Sequence, residues 1–376
     1  MKLFKSITQR RFFIKLFNWE YWPFGVVYSP IYFYWILLAI RNKSFFYFNA
    51  ANPTIKNGGF LMESKKEIYD LLPQQYYPLT LLFTQQDSIS KITGQVQSNN
   101  LKYPLIGKPD IGMQGLAVKK LENDTDLISY ASSAKVNFLI QEFIHLENEV
   151  GIFYYRYPGK QKGRISGIVG KEFLTITGNG SATIKALLQK DTRFILQIPY
   201  LQKINNNLLQ QVLPKGEIKI LVPYGNHARG AKFIDLSYLI NDKLEAAIDA
   251  VCRQVNGFYY GRMDIRYNTW QELEEGKNIS IIELNGSGSE PTHMYDPKHS
   301  VFYAWKEIIR HWKILATISR INHQQKNIKY MSFREGMKMF KDNNAYVKLI
   351  KEQHNAESIN EQPDKNIPGS PVFLFN

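Results

Sequence analysis

The segment from Arg262 to Asn285 constrains the fold of this chain more than any other stretch. It begins and ends with short apolar-rich runs, bounded by Gly and Asn and joined by a polar connection. This pattern predicts two β-strands that pair as a hairpin. Side chains two positions apart on a strand point to the same face, which aligns Arg262 with Asp264 and Glu283 with Asn285. If the two faces coincide, one sheet surface carries two carboxylates, an amide oxygen and a guanidinium.

Such a cluster is unfavourable unless a cation lies between its carboxylates. Hard divalent cations such as Mg²⁺ take oxygen ligands from Asp, Glu and Asn, together with phosphate and water. An adjacent Arg can hold a phosphoryl group or an acyl phosphate. The sequence therefore predicts Asp264, Glu283 and Asn285 as metal ligands and Arg262 as a catalytic residue. The alternative is a surface Arg–Asp pair beside a solvent-facing Glu, because both motifs are short.

Charge and cysteine usage limit the classes of partner. The chain carries 47 Lys and Arg against 33 Asp and Glu, a formal net charge of +14. This excess favours anionic partners such as a nucleotide, an acidic lipid surface, a nucleic acid or an acidic substrate. The basic residues are dispersed and no aromatic-basic motif for base stacking is present, so nucleic acid is not expected as a partner. A single cysteine, Cys252, excludes an intramolecular disulfide and favours a reducing compartment.

An uncharged, aromatic-rich run extends from Tyr21 to Ile40 between two basic flanks. It is long enough to span a membrane, although two prolines and a glycine make it an unusual span. A single span with the catalytic part in the cytoplasm would place the more basic flank outside, against the positive-inside rule. An interfacial or re-entrant segment keeps both flanks next to anionic lipid. We expect membrane association; the alternative is an aromatic-rich soluble core or partner surface.

The periodicity of the remaining chain predicts a mixture of strands and helices. Helices are expected at residues 63–72, 124–134, 246–255, 300–321 and 333–352, and after an N-cap at Ser181. Strands are expected at residues 44–48, 80–83, 105–107, 137–144, 149–155 and 163–172. A glycine-bounded polar loop at residues 225–232 contains Arg229, which we predict to clamp a carboxylate or phosphate of a substrate.

Four motifs follow one another in a fixed order along the chain. A Lys-Pro-Asp-x-Gly-x-x-Gly segment starts at Lys108, a Gln-Glu-Phe-Ile segment starts at Gln141 with a further acid at Glu149, and the Arg-x-Asp and Glu-x-Asn motifs come last. This ordered set resembles the ATP-grasp superfamily, in particular its D-alanine-D-alanine ligase and carboxylate-amine ligase branch. The resemblance covers about residues 63–291.

The resemblance implies an α+β (α/β) fold of the ATP-grasp type, in which two α+β lobes clamp ATP. The predicted organisation is a basic, aromatic membrane-associated segment at residues 1–44, a short α/β unit at 45–100, the small lobe at 101–145, the large lobe with the metal site at 146–322, and a polar C-terminal helix and tail at 323–376.

The resemblance also assigns nucleotide contacts. Phosphates would be held by lysines and a glycine-rich loop, namely Lys65, Lys108, Lys171, Gly112, Gln114 and Gly115. Lys66 is an equally acceptable match for Lys65. Adenine would be read by the hinge formed by Gln141, Glu142, Phe143 and Ile144, and the ribose by Glu149.

By the same resemblance, the chain is an ATP-dependent ligase that activates a carboxylate as an acyl phosphate for attack by an amine. ATP and Mg²⁺, with Mn²⁺ as an alternative metal, would be its cofactors. The short N-terminal region departs from D-alanine-D-alanine ligases, so that exact activity is one alternative and a non-catalytic nucleotide-binding membrane scaffold is another. The expected location is the cytoplasm, at the inner face of the membrane, with a role in cell-envelope or surface-polysaccharide metabolism.

Overall fold

The structure is a computed structural model that describes residues 11–112, 115–222 and 231–360. Its strands are β1 Thr80–Phe83, β2 Leu105–Pro109, β3 Lys119–Leu121, β4 Phe138–Glu142, β5 Asn148–Tyr155, β6 Arg164–Glu172, β7 Leu174–Thr177, β8 Ile218–Val222, β9 Lys232–Asp235, β10 Tyr260–Tyr267 and β11 Ile279–Asn285. We label as helices α1 Phe24–Tyr28, α2 Tyr32–Asn42, α3 Lys65–Tyr69, α4 Ile89–Ser98, α5 Asp124–Ser133, α6 Ile184–Leu188, α7 Thr192–Ile195, α8 Ile198–Gln210, α9 Asp242–Gln254, α10 Trp270–Glu274, α11 Val301–Lys326 and α12 Phe333–Asn360. Residues 11–17 are also helical.

A four-stranded antiparallel sheet in the order β1-β4-β2-β3 forms the small lobe. Helices α4 and α5 cover one face, over a core that includes Ile92, Leu127 and Phe138. A β-carbon at Gly107 would lie 2.8 Å from the Tyr130 ring, so that position faces the helices. Because successive residues of a strand point to opposite faces, Lys108 is directed at the large lobe.

The large lobe is a five-stranded antiparallel sheet in the order β11-β10-β5-β6-β9. Helix α9 packs on one face through Leu244, Ile248, Val251 and Cys252, whose spacing forms one apolar stripe. Each such side chain contributes roughly 1.5–3 kcal/mol when it is fully buried. The opposite face of the sheet carries polar and charged residues and turns toward the small lobe. The α+β fold with two lobes, expected from the resemblance, is confirmed.

The N-terminal aromatic segment packs on the large lobe. Val27, Tyr28 and Ile31 join a cluster with Met294 and Ile308, and Trp35 and Leu38 join a second cluster with Tyr47 and Leu315. Indole N–H groups fix the docking: Trp305 donates to the Val27 carbonyl at 2.7 Å and Trp19 to the His299 carbonyl at 2.7 Å.

Residues Phe24–Asn42 are long and apolar enough to cross a membrane by length and composition, and 33% of the most apolar window is buried inside the protein. The stretch is not one straight helix, because a 3-10 turn at Ser29–Ile31 that contains Pro30 separates α1 from α2. Pro30 lacks the N–H group that a continuous helix would use, which explains the break.

Helix α12 joins the two lobes. Near its start, Met339 is buried in the cluster shared with Phe46 and Ile318 of the large-lobe side. Near its end, Ile350 packs with Val136, and the Gln353 side chain accepts a hydrogen bond from Lys135 N at 3.1 Å on the small lobe.

Several local predictions from the sequence are wrong. Residues 44–48 form a bridge at Phe46 followed by a 3-10 turn at Tyr47–Ala50 instead of a strand, because Phe46, Tyr47 and Phe48 are buried among helices. The helix predicted at 63–72 is limited to α3, and α6 is capped by Thr183 instead of Ser181. Helix α12 is longer than predicted and extends to Asn360.

A fully buried Asn52 ties the chain before α3 to the start of β10. Its amide donates to the carbonyls of Gly58 at 3.0 Å and Tyr260 at 2.8 Å, and its oxygen accepts from the N–H groups of Tyr259 at 2.9 Å and Tyr260 at 3.0 Å. All four hydrogen-bonding positions of the side chain are therefore used.

We expect Asn52→Asp to lower the free energy of unfolding by about 3 kcal/mol, because a carboxylate cannot donate to the two carbonyls. Chemical denaturation measures the loss. The control Asn256→Asp makes the same chemical change at an exposed position and should alter stability by less than about 0.5 kcal/mol. Equal effects of the two substitutions would contradict the assignment.

Candidate nucleotide and metal site

The four residues predicted from the hairpin lie on one face of the large-lobe sheet. Asp264 is directly opposite Glu283, and Arg262 is directly opposite Asn285, across the antiparallel β10–β11 pair. Directly opposite side chains project to the same side of an antiparallel sheet. The polar face expected from the sequence alternation is therefore formed.

Cations of the protein itself contact both carboxylates. The Arg262 Nε lies 3.0 Å from Asp264 Oδ1, the Lys171 Nζ lies 3.2 Å from Asp264 Oδ2, and Lys65 Nζ forms an ion pair with Glu283. Burial acts to raise the pKa of Glu283, but the ammonium of Lys65 outweighs it and holds that pKa well below its usual range. The Glu283 carboxylate therefore stays ionised.

The helix N-terminus at Ser64 places Lys65 in the cleft. Asp110, the acid of the Lys-Pro-Asp motif, accepts from Ser64 Oγ at 2.9 Å and from Lys66 N at 2.9 Å, and its carbonyl accepts from Lys65 N at 3.0 Å. Lys66 pairs instead with Asp70 on the helix surface. Lys65 is therefore the lysine that faces the site, and Asp110 is a positioning residue that sequence reasoning did not identify.

Lys108 is buried between the lobes. Its ammonium donates to Gln141 Oε1 at 2.8 Å, to the Tyr69 hydroxyl at 2.9 Å and to the Ile282 carbonyl at 3.4 Å. Ile282 precedes Glu283 on β11, so the small-lobe lysine reaches the strand that carries a predicted metal ligand. The contacts use three donors of the ammonium.

Glu149, predicted to hold the ribose, is part of an ion-pair network. Its oxygens lie 2.5 Å from Lys171 Nζ and 2.9 Å from an Arg266 guanidinium nitrogen. Burial acts to lower the pKa of Lys171, but the carboxylates of Asp264 and Glu149 outweigh it and raise that pKa. Lys171 thus bridges Glu149 to Asp264. Arg266, two positions beyond Asp264 on β10, was missed, although the same strand alternation that selected Arg262 points to it.

The space for this network is created by Gly151. This residue lies between Asp264 and Val169 on the neighbouring strands. A β-carbon at Gly151 would lie 2.7 Å from Val169 Cγ1 and 3.0 Å from Asp264 Oδ1. A side chain at this position would push the Asp264 carboxylate out of place.

The predicted hinge residues are at and beyond the end of β4. Gln141 is buried and donates to Thr80 Oγ1 at 2.6 Å, so its side chain supports Lys108. Glu142 is exposed and accepts from Leu79 N at 3.3 Å, while Phe143 and Ile144 are half-buried. Gly112 lies against Lys65, whose Cε would be 2.8 Å from an added β-carbon. The predictions for Gln114 and Arg229 fall outside the residues that the structure describes.

A cleft of about 750 Å³ opens beside Lys171. Its walls include the sheet at Glu149, the short helix α7 at Arg193, and the N-terminal segment at Glu20. Arg193 lies 3.1 Å from Glu20, and both side chains are largely buried. The sequence analysis identified neither residue, because they are far apart in the chain.

The loop after β11 is anchored from the N-terminal segment and from α11. The Tyr28 hydroxyl donates to Glu290, and the Tyr295 hydroxyl lies 3.3 Å from the same carboxylate. Behind this loop, Glu307 lies 3.0 Å from His293 Nε2 and 3.1 Å from Arg310 Nε. The charged cluster holds the polypeptide that continues from the candidate metal ligands.

The donor set fits a hard divalent cation. Two carboxylates and an amide on one sheet face are oxygen donors of the kind Mg²⁺ accepts, with phosphate oxygens and water completing the coordination. Among the described residues, no group of three or more His, Cys, Asp and Glu side chains could hold a metal ion.

Comparisons with known proteins give structural neighbours only. The sequence matches no protein-family model, and it matches no curated protein. Among solved structures, the chain is similar to a D-Ala:D-Ser ligase from Enterococcus faecalis (14% identity, TM-score 0.39, 68% of this chain and 61% of that one). It is also similar to a D-alanine-D-alanine ligase from Bacillus anthracis (14% identity, TM-score 0.39, 70% and 68%) and to a bifunctional glutathione synthetase from Pasteurella multocida (12% identity, TM-score 0.36, 65% and 35%).

The chain spans about three fifths of the length of the first of these structures. Two of the three are named ligases and the third is named a synthetase. Residue assignments in this chain rest on its own contacts.

Low pH should weaken the charged cluster of Glu307, His293 and Arg310 behind the loop that follows β11. Burial acts to raise the pKa of Glu307, but hydrogen bonds from His293 and Arg310 lower it to about 2 from an ordinary 4.5. A lowered native pKa stabilises the fold above the unfolded pKa, and that contribution is lost as pH falls toward the native pKa. We expect the stability difference between wild type and Glu307→Gln to be largest above pH 4.5 and to shrink toward pH 2.

Urea unfolding across this pH range tests the expectation. At neutral pH, Glu307→Gln should cost about 1–3 kcal/mol because the buried His293 and the half-buried Arg310 lose a charged acceptor. Glu217→Gln, at an exposed site, controls for the change in net charge. A pH-independent difference between wild type and Glu307→Gln would contradict the ionised state of Glu307.

Proposed function

We propose that this protein is an ATP-dependent ligase that activates a carboxylate as an acyl phosphate and transfers the acyl group to an amine. The observation that carries the proposal is the meeting of two opposed carboxylates, Asp264 and Glu283, with Lys65 and Lys171, beside a strand that Lys108 of the small lobe also reaches. A nucleotide triphosphate with a divalent cation is the ligand class that needs both at once.

Charge balance supports an anionic ligand. The network contains three carboxylates, Glu149, Asp264 and Glu283, and four cationic groups, Lys65, Lys171, Arg262 and Arg266. Lys108 adds a further positive charge, and the Tyr69 hydroxyl, the Gln141 amide and the Ile282 carbonyl that it contacts are neutral oxygens. These cations suit phosphate oxygens, which are negative even when a metal is bound.

Each residue has a separate part in the proposed reaction. Lys108 and Lys65 bind phosphate oxygens from the small-lobe side, and Lys171 exchanges its contact with Asp264 for one with phosphate. Asp264, Glu283 and Asn285 would hold Mg²⁺, which would supply charge neutralisation at the transferring phosphoryl group. Arg262 then holds the acyl phosphate in position for the amine, which displaces phosphate.

The cleft beside Lys171 is the proposed binding place for at least one of the two substrates, the carboxylate or the amine. It joins the candidate metal site through Lys171 and has room for a small molecule. The identities of carboxylate and amine are open, and D-alanine-D-alanine ligase activity is one specific version of the proposal.

The proposed working place is the cytoplasm, at the inner face of a membrane, in cell-envelope or surface-polysaccharide metabolism. ATP supply requires the catalytic lobes on the cytoplasmic side. The support for membrane contact is the apolar outer surface of the N-terminal segment, whose exposed side chains include Phe17, Phe33 and Ile40.

Glu283→Gln should abolish Mg²⁺-dependent ATP binding and lower the rate of ADP formation at least about a hundredfold, because the amide removes a charged ligand of the metal. Isothermal titration with Mg-ATP measures binding. The control Glu275→Gln makes the same change at an acid beyond α10 that pairs with surface lysines. Its binding and activity should equal those of wild type.

Turnover itself is tested by a screen for ADP formation over pooled amino acids, peptides and amino sugars. A pool that releases ADP only with both a carboxylate and an amine present supports the ligase. Mg-ATP binding without ADP formation in any pool would favour the nucleotide-binding scaffold, and absence of Mg-ATP binding would refute the proposed site.

A further inference from the structure

The N-terminal segment, residues 11–45, has two apolar faces, one packed against the large lobe and one exposed. More than half of the large apolar side chains that are exposed among the described residues lie between positions 11 and 45. On α2, the outward positions Phe33, Ile36, Leu37 and Ile40 are exposed, whereas Trp35 and Leu38 are buried against the large lobe. The outward face is therefore a continuous apolar surface that the described part of the chain does not cover.

This arrangement does not suit a spanning helix. A helix that crosses a bilayer meets lipid on most of its circumference, but α2 has one side occupied by protein. Helix α2 by itself covers about 16 Å at 1.5 Å per residue, against a hydrocarbon thickness of about 30 Å, and the 3-10 turn at Ser29–Ile31 separates it from α1. The outward face suits shallow insertion parallel to the membrane plane.

The charged residues around the outward face are mostly cations, which favour an anionic partner. Lys15, Arg41 and Lys43 are exposed at its ends, and Lys306 and Lys313 are exposed on α11, the helix against which α2 packs. Glu20 is the single acid in positions 11–45, and its side chain is only 7% exposed because it pairs with Arg193. An apolar face flanked by cations is complementary to a bilayer with anionic headgroups. A second copy of the chain would bring the same cations together.

We propose that the outward face of the N-terminal segment docks in the plane of an anionic lipid bilayer, as an interfacial surface and not as a membrane span. Phe33, Ile36, Leu37 and Ile40 enter the acyl boundary, while Arg41 and Lys43 contact lipid phosphates. This face would make the membrane contact proposed above. The inference rests on the proposed function only for the choice of the cytoplasmic side of the membrane.

The inward face of the same segment contacts residues next to the candidate site. Tyr28 donates to Glu290 in the loop after β11, and Glu20 pairs with Arg193 in the wall of the cleft beside Lys171. Docking therefore places that cleft near the membrane surface. Removal of the segment would disturb the site, so point substitutions in the full chain are the suitable test.

Co-flotation with vesicles tests the inference. The full chain should float with phosphatidylcholine vesicles that contain phosphatidylserine, and less with phosphatidylcholine alone. Ile40→Glu should lower the bound fraction roughly tenfold, because it places a charge in the acyl boundary. Ile218→Glu is a matched control, since Ile40 and Ile218 are both isoleucines with 69% exposure. It should bind as wild type does.

A double variant, Arg41→Gln with Lys43→Gln, should lose the preference for phosphatidylserine while the weaker binding to phosphatidylcholine stays. Mg-ATP binding should be unchanged in Ile40→Glu, which separates loss of docking from failure of the nucleotide site. The inference is overturned if wild type does not float with either vesicle or if Ile218→Glu and Ile40→Glu lose binding equally. It is also overturned if wild type is a dimer that Ile40→Glu converts to a monomer.

Discussion

The site depends on mutual neutralisation of buried charges on one face of the large-lobe sheet. Asp264 is held by Arg262 and Lys171, and Lys171 also reaches Glu149. Ionised groups that leave water need partners of opposite charge nearby, or burial would force them to become neutral. This requirement fixes the side chains before any ligand binds. It also leaves cations that phosphate can recruit, since a phosphate oxygen can replace a carboxylate as the partner of a lysine.

The fold brings these groups together through strand register and loop anchoring. Gly151 leaves room between the strands for the Asp264 carboxylate, and Asp110 fixes the start of α3 so that Lys65 reaches Glu283. The N-terminal segment braces the loop after β11 through Tyr28. Its outward face remains apolar, so one short segment connects the candidate membrane surface with the candidate catalytic cleft.

Local alternation was sufficient to predict the central face of the site. The two-residue period aligned Arg262 with Asp264 and Glu283 with Asn285, and the β10–β11 pairing brings both pairs to one surface. Contacts between distant parts of the chain could not be predicted in this way. Glu20 and Arg193 are 173 positions apart, and nothing in either neighbourhood points to the other. The aromatic residues 44–48 suggested a strand by propensity, but packing against α11 and α12 imposes a 3-10 turn.

Crystals of the full chain grown with Mn²⁺ and a non-hydrolysable ATP analogue would show whether a metal ion binds between Asp264 and Glu283. Anomalous scattering locates Mn²⁺ independently of the protein density. We expect a peak bound by oxygens of Asp264 and Glu283, with Lys65 and Lys171 moved onto phosphate oxygens. A nucleotide bound elsewhere, or an ordered analogue with no metal between these carboxylates, would contradict it.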